Sequence, residues 1–250
     1  MLENPRRLLL FIAALTSLLY TVILTKLDLI TPTLTTLGTL ATLTLLMLSF
    51  PVGPRSVLLG AHQFLIHPLF VAAAWRKLYG FPWDPRLWVA FFIHDFGYLT
   101  RWCHNMDGEE GEKHVLFGAA FMFVLFGEEW GRLCLYHSRF YARQHNHPFS
   151  RLCVADKLAF CMEPWWLYLP RVILTGEIKE YLQLARAEDG SKYQNEPRVG
   201  THRPTSEILK DPTLSEWQKM RLWHKNLVIY MTAWVHAHKN SHADHWTPIR

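Results

Sequence analysis

The residue types that could do chemistry lie at intervals through the middle of the chain: His67, the adjacent pair His94-Asp95, His114, His137 and Asp156. Trp88, Val89, Ala90, Phe91, Phe92 and Ile93 lead into the pair, which therefore ends a strongly apolar segment. A carboxylate placed there is expected to be buried, and a buried carboxylate must be paired or bind metal. Imidazole and carboxylate on separate helices build dinuclear first-row metal sites without cysteine. With fourteen histidines in the chain, one histidine alone would carry little weight. The joint order His, His-Asp, His, His, Asp is far more specific. His67 to His94 is 27 residues, Asp95 to His114 is 19, His114 to His137 is 23 and His137 to Asp156 is 19. Each interval suits a helix plus a short turn, so antiparallel helices would present their ligands at one depth.

The elements that must position these residues read as helices throughout, with no alternating run long enough for a strand. Ser56 to Tyr79 is expected to be helical with Gly80 as its stop, and Pro68 either kinks it or opens a new helix in its first turn. Asp84-Pro85 opens the helix that ends at His94-Asp95. Gly108 to Phe126 and Glu128 to Arg143 are the next two, and Ser150 caps a fifth that carries Asp156 and ends or bends at Glu163-Pro164. A sixth runs from Thr175 to Ala187, followed by a polar stretch from Glu188 to Pro212 that reads as a surface loop. Trp217, Met220, Trp223, Leu227, Tyr230, Met231 and Trp234 then form one apolar face of a last, amphipathic helix, read as a docking face for the bundle. His236, His238, His242 and His245 follow in what reads as solvated chain.

Two uncharged stretches precede all of this, Leu8 to Thr25 and Leu29 to Val52, each long enough to cross ~30 Å of hydrocarbon as a helix. They are read as a two-helix membrane anchor over residues 1–54, with residues 55–250 forming a helical domain. Arg6 and Arg7 before the hairpin, and Arg55, Arg76 and Lys77 after it, orient both ends toward the cytoplasm. Cys103, Cys134, Cys153 and Cys161 are dispersed without a C-x-x-C pair, which fits buried, reduced thiols and argues against zinc-cysteine chemistry. The net charge of +5 suits an anionic lipid surface. No Lys/Arg stripe interleaved with aromatics points to a nucleic-acid duplex.

The motifs resemble those of the HD-domain superfamily of metal-dependent phosphohydrolases. His67-Pro-Leu-Phe-Val-Ala-Ala-Ala is similar to its first-ligand helix, His94-Asp95 to its signature doublet, His114-Val-Leu-Phe-Gly-Ala to its third segment and Val154-Ala-Asp156-Lys157-Leu to its closing aspartate helix. The extra pair His114 and His137 resembles the branches that hold two or more metals, including bacterial hydrolases of diadenosine tetraphosphate. The likeness covers about His62 to Leu169. Pro68 departs from it, and leaves His62 as an alternative first ligand.

The resemblance implies an all-α HD-type bundle with two divalent ions, iron or manganese first, with magnesium, nickel and cobalt also compatible. Asp95 would bridge them, with His94, His114 and His137 on one metal and His67 and Asp156 on the other. It implies hydrolysis of a phosphoester or phosphoanhydride in a phosphorylated small molecule or nucleotide. A bound divalent ion lowers the pKa of water and two ions clamp a phosphoryl group. Arg139 and Lys157 stand two and one residues after ligand positions and are placed to neutralise phosphoryl charge, ahead of Lys113 and Arg143. Glu109, Glu110 and Glu112 precede His114 and either orient imidazoles or form a solvated first turn. Two other readings use the same residues: a mixed-valent di-iron oxygenase and a non-catalytic membrane-tethered sensor.

Overall fold

The computed structural model describes residues 4–100, 103, 105–106, 108–186 and 203–240. All regular structure among them is helical.

Helices α1 (Pro5–Lys26) and α2 (Pro32–Ser49) form an antiparallel hairpin. Asn4 and Thr31 accept hydrogen bonds from the first-turn N–H groups, and a proline follows each of them. The hairpin packs along small residues: a methyl on Gly38 would come within 2.5 Å of Thr21 Oγ1, and the Thr42 and Ser17 hydroxyls share a hydrogen bond at 2.9 Å. Thr36, Thr39, Thr42 and Thr44 each donate to the carbonyl four residues back, so their hydroxyls are satisfied without water. Leu9, Leu19, Tyr20, Leu37, Leu40 and Leu43 point outward and exposed. Both helices are long and apolar enough to cross a membrane.

Only Phe50 and Pro51 separate α2 from α3 (Val52–Leu59). Pro54 sits in the first turn, where its missing N–H costs nothing. Gly53 lies against the carbonyls of Tyr98 and Cys103, closer than any side chain would permit. The helix expected from Ser56 to Tyr79 is two helices, α3 and α4 (Ile66–Tyr79), broken at Gly60, and Pro68 occupies the first turn of the second.

Helix α5 (Pro85–Ile93) is capped by Asp84 and runs into a 3-10 turn, Phe96–Leu99. The two long helices expected next are each split at a histidine: α6 (Gly108–Glu112) and α7 (Val115–Phe126) flank His114, while α8 (Glu128–Leu135) and α9 (Arg139–Gln144) flank His137. Helix α10 (Arg151–Met162) starts at the Ser150 cap. A helix not anticipated, α11 (Trp165–Thr175), follows Pro164 and tolerates Pro170 within it. Then come α12 (Glu177–Arg186), a short α13 (Thr205–Lys210) inside the stretch read as a loop, and α14 (Glu216–His238) with a Ser215/Gln218 capping box.

Helix α10 is the middle of the bundle, with Leu152, Cys153, Val154, Ala155, Leu158 and Ala159 all buried. Small residues let α4 pack closely on it, and Trp75, Phe91, Met122 and Trp234 complete the main core. A second core joins α11, α12 and α14 through Leu169, Val172, Leu182 and Trp223. The apolar face of α14 thus docks on the bundle through both cores. His238, expected to be solvated, is buried beside Phe149 and Trp234, with its Nδ1 2.7 Å from the Trp234 carbonyl; His242 and His245 lie outside the described residues. The four cysteines are free thiols, three of them buried.

Candidate metal centre

Three of the histidines are aimed by the helix ends that carry them. The last carbonyls of a helix lack intrahelical partners. His94 Nδ1 lies 2.9 Å from Phe91 O, His114 Nδ1 2.5 Å from Gly111 O and His137 Nδ1 2.6 Å from Cys134 O, each three residues back. Donation from Nδ1–H assigns the tautomer and leaves the lone pair on Nε2. These carbonyls do the orienting considered for the acidic residues; Glu112 instead accepts from Ser138 Oγ at 2.7 Å.

All six candidate ligands named from the sequence converge. Asp95 Oδ2 is 3.1 Å from His94 Nε2 and 3.3 Å from His67 Nε2, and His67 Nε2 is 3.1 Å from Asp156 Oδ1. Asp95 Oδ1 is 3.5 Å from His137 Nε2 and 3.6 Å from His114 Nε2, and those two nitrogens are 3.2 Å apart. The Asp95 carboxylate therefore stands between two groups of donors. The expected grouping put His94 with His114 and His137, but its Nε2 sits beside the carboxylate oxygen that also faces His67. His94 remains close to both sides: the sets His67, His94, Asp156 and His94, Asp95, His137 each bring three ligand atoms within 4.8 Å of one another.

This donor set fits a cation. His94 Nε2 is buried without a hydrogen-bond partner, and an unpaired buried polar atom is costly. Lone pairs on His114 and His137 face each other at hydrogen-bond distance with no proton between them in the neutral tautomers. Burial opposes the charge on Asp95, yet His94, His62, His137 and His67 hold its carboxyl well below the usual range. Asp156 behaves alike: burial works against it, and Lys157 and His67 overcome that and lower it. Burial would lower His67, but Asp156 and Asp95 push it up to about 9, whereas burial and His137 bring His114 down to about 4. A proton on His67 is thus what a metal would displace.

His62, the alternative first ligand, is tied to Ser56 while still helping to hold the Asp95 carboxyl down. Its Nδ1 is 2.8 Å from Ser56 Oγ, and its ring packs edge-on to His67 with centroids 5.6 Å apart. The break at Gly60 separates the two histidines into different elements, so the rotation of a continuous helix does not relate them.

Close backbone approaches hold the pieces together. A methyl on Gly97 would overlap the His114 carbonyl, and one on Gly118 would lie 2.9 Å from His94 Cα, so glycine lets α7 cross directly over the His94-Asp95 turn.

No family model, curated protein or solved structure matches this chain. A cavity of about 580 Å³ adjoins the centre, and His62, His67, Asp95, His114, His137 and Asp156 contribute to its lining. Arg139, Arg143 and Lys157 line it too, with Lys157 Nζ 2.6 Å from Asp156 Oδ2; Lys113 does not. The arrangement can hold cations between imidazoles and carboxylates and receive an anion beside them.

Sequence reasoning missed one buried cluster near the cavity. Glu177 is fully buried and accepts from Ser56 Oγ at 2.8 Å, Thr175 Oγ1 at 2.5 Å, Tyr181 OH at 3.1 Å and the Ala61 N–H at 3.2 Å. Glu-Ile-Lys-Glu reads as a solvated first turn, and nothing local reveals that partners 116 and 121 residues away close over it.

Proposed function

We propose that the chain is a membrane-anchored, metal-dependent phosphohydrolase of the HD type. The observation that carries the reading is the Asp95 carboxylate, whose two oxygens face two separate groups of imidazoles. This is the geometry expected of a bridging ligand, and it joins the motif resemblance. When bound, a divalent pair supplies hydroxide near neutral pH and takes up charge on phosphoryl oxygens.

The chain's own residues do the rest. His67, His94 and Asp156 hold one side of Asp95, and His114 and His137 the other. Lys157, kept charged by Asp156 against the cost of burial, presents a cation at the edge of the centre. Arg139 and Arg143 extend that positive margin, where planar guanidinium groups suit phosphate oxygens. The hairpin of α1 and α2 serves as the anchor, with Arg6, Arg7 and Arg55 at its base on the cytoplasmic side.

The test is metal analysis of the full chain purified anaerobically, followed by a panel of phosphoesters and nucleotides. Two equivalents of a divalent metal and phosphate release without oxygen are expected. Oxygen consumption by an iron-loaded centre without phosphate release overturns the hydrolase in favour of an oxygenase.

A further inference from the structure

The cavity beside the centre has a lining of two kinds. One is cationic, Arg139, Arg143 and Lys157. The other is aromatic, with Phe160 from α10, Tyr168 from α11 and Trp223 and Tyr230 from α14. On α14 the lining residues Trp223, Leu227, Tyr230 and Met231 follow helical spacing, so one continuous strip of that helix faces the cavity. The same strip carries part of the second core, which makes the wall a packed surface: Trp223 stacks on Tyr181 with ring centroids 5.9 Å apart, and Phe160 meets Tyr168 edge-on at 5.1 Å. Inorganic phosphate needs no such wall. A cavity of this size and composition has room and apolar surface for an organic group along with the anion.

We infer that the substrate is a phosphate ester whose organic part is an aromatic ring, seated against Phe160, Tyr168 and Tyr230 while its phosphoryl group lies by Lys157 and the His/Asp centre. This rests on the phosphohydrolase reading and adds the class of leaving group. Rings favour an aromatic occupant over an alkyl chain because aromatic pairs gain edge and face interactions beyond simple burial. Trp223 and Tyr230 lie beyond the stretch that resembles the HD family, so this part of the cavity belongs to the chain's C-terminal third.

The experiment is calorimetric titration of the full chain in detergent, loaded anaerobically with Mn²⁺, with inorganic phosphate, butylphosphonate and phenylphosphonate, whose P–C bonds a hydrolase leaves intact. Phenylphosphonate should bind about threefold to tenfold more tightly than butylphosphonate. Tyr230→Leu should bring the two together while inorganic phosphate still binds, and Phe160→Leu makes the same test from α10 should the first variant fail to fold. Equal binding of the two phosphonates, or a preference unchanged in both variants, overturns the aromatic assignment alone. Absence of binding by inorganic phosphate overturns the phosphohydrolase reading and this inference with it.

Discussion

His114 Nε2 and His137 Nε2 face each other at 3.2 Å, and the Nδ1 of each ring is already engaged by a backbone carbonyl. Two lone pairs that close repel unless a proton or a cation lies with them, and Asp95 Oδ1 is the nearest compensating charge on that side. We expect Asp95→Ala to lose all bound metal while far-UV circular dichroism retains most of the helix signal, because the helices have two apolar cores of their own. Full metal occupancy in that variant would sink the proposed centre.

The two histidines near the start of α4 should separate cleanly. His67→Ala removes the nitrogen that meets both Asp95 and Asp156, so its metal content should fall by at least half. His62→Ala removes a ring tied to Ser56 and should keep its metal. Metal content measured on folded protein decides, and loss in the His62 variant alone would show that the first ligand has been misassigned.

Gly97→Ala tests the contact between the Asp95 turn and His114. The added methyl would run into the His114 backbone, and overpacking of this kind costs about 1–3 kcal/mol. A lower thermal midpoint together with reduced metal content is expected. An unchanged midpoint would mean that the approach of α7 is looser than described.

Glu177 gives a pH dependence whose sign is fixed by burial, the largest influence on it, which raises its carboxyl above the ordinary glutamate range against the donors of Thr175, Ser56, Ala61 and Tyr181. Arg55 and Arg171 are the charged groups that face it. In the folded chain the carboxyl keeps its proton to higher pH than in the unfolded chain, where it titrates near about 4.3. Its contribution to stability is therefore full below that value and is lost as pH rises through the raised folded pKa. Thermal unfolding of Glu177→Gln, measured from pH 4 upward, should gain on the parent chain as pH rises. A gap that narrows instead would reverse the assignment.

Much of this was legible because local chemistry marks it. Asp84-Pro85, Ser150 and Gly127 bound helices where caps and glycines say they should, and the six candidate ligands stand out by type and order. The breaks at His114 and His137 were not legible, since the apolar and polar pattern continues across them and only the geometry of the centre demands that each histidine leave its helix. The break at Gly60 depends on Glu177, whose carboxylate occupies the space that a side chain there would need. Helix α11 was hidden by Pro164, which read as the end of the preceding helix although it also sits just before the next one. His238 was misread because its partner Phe149 is distant in sequence.

The bonds from His94, His114 and His137 to carbonyls three residues back also bear on the order in which the chain assembles. Contacts this short close with little loss of chain entropy, so these imidazoles can take their aim as soon as α5, α6 and α8 form. His67 and Asp156 have no such local guide. They meet only when α4 and α10 pair across everything from α5 to α9, so their side of Asp95 depends on the main core being assembled.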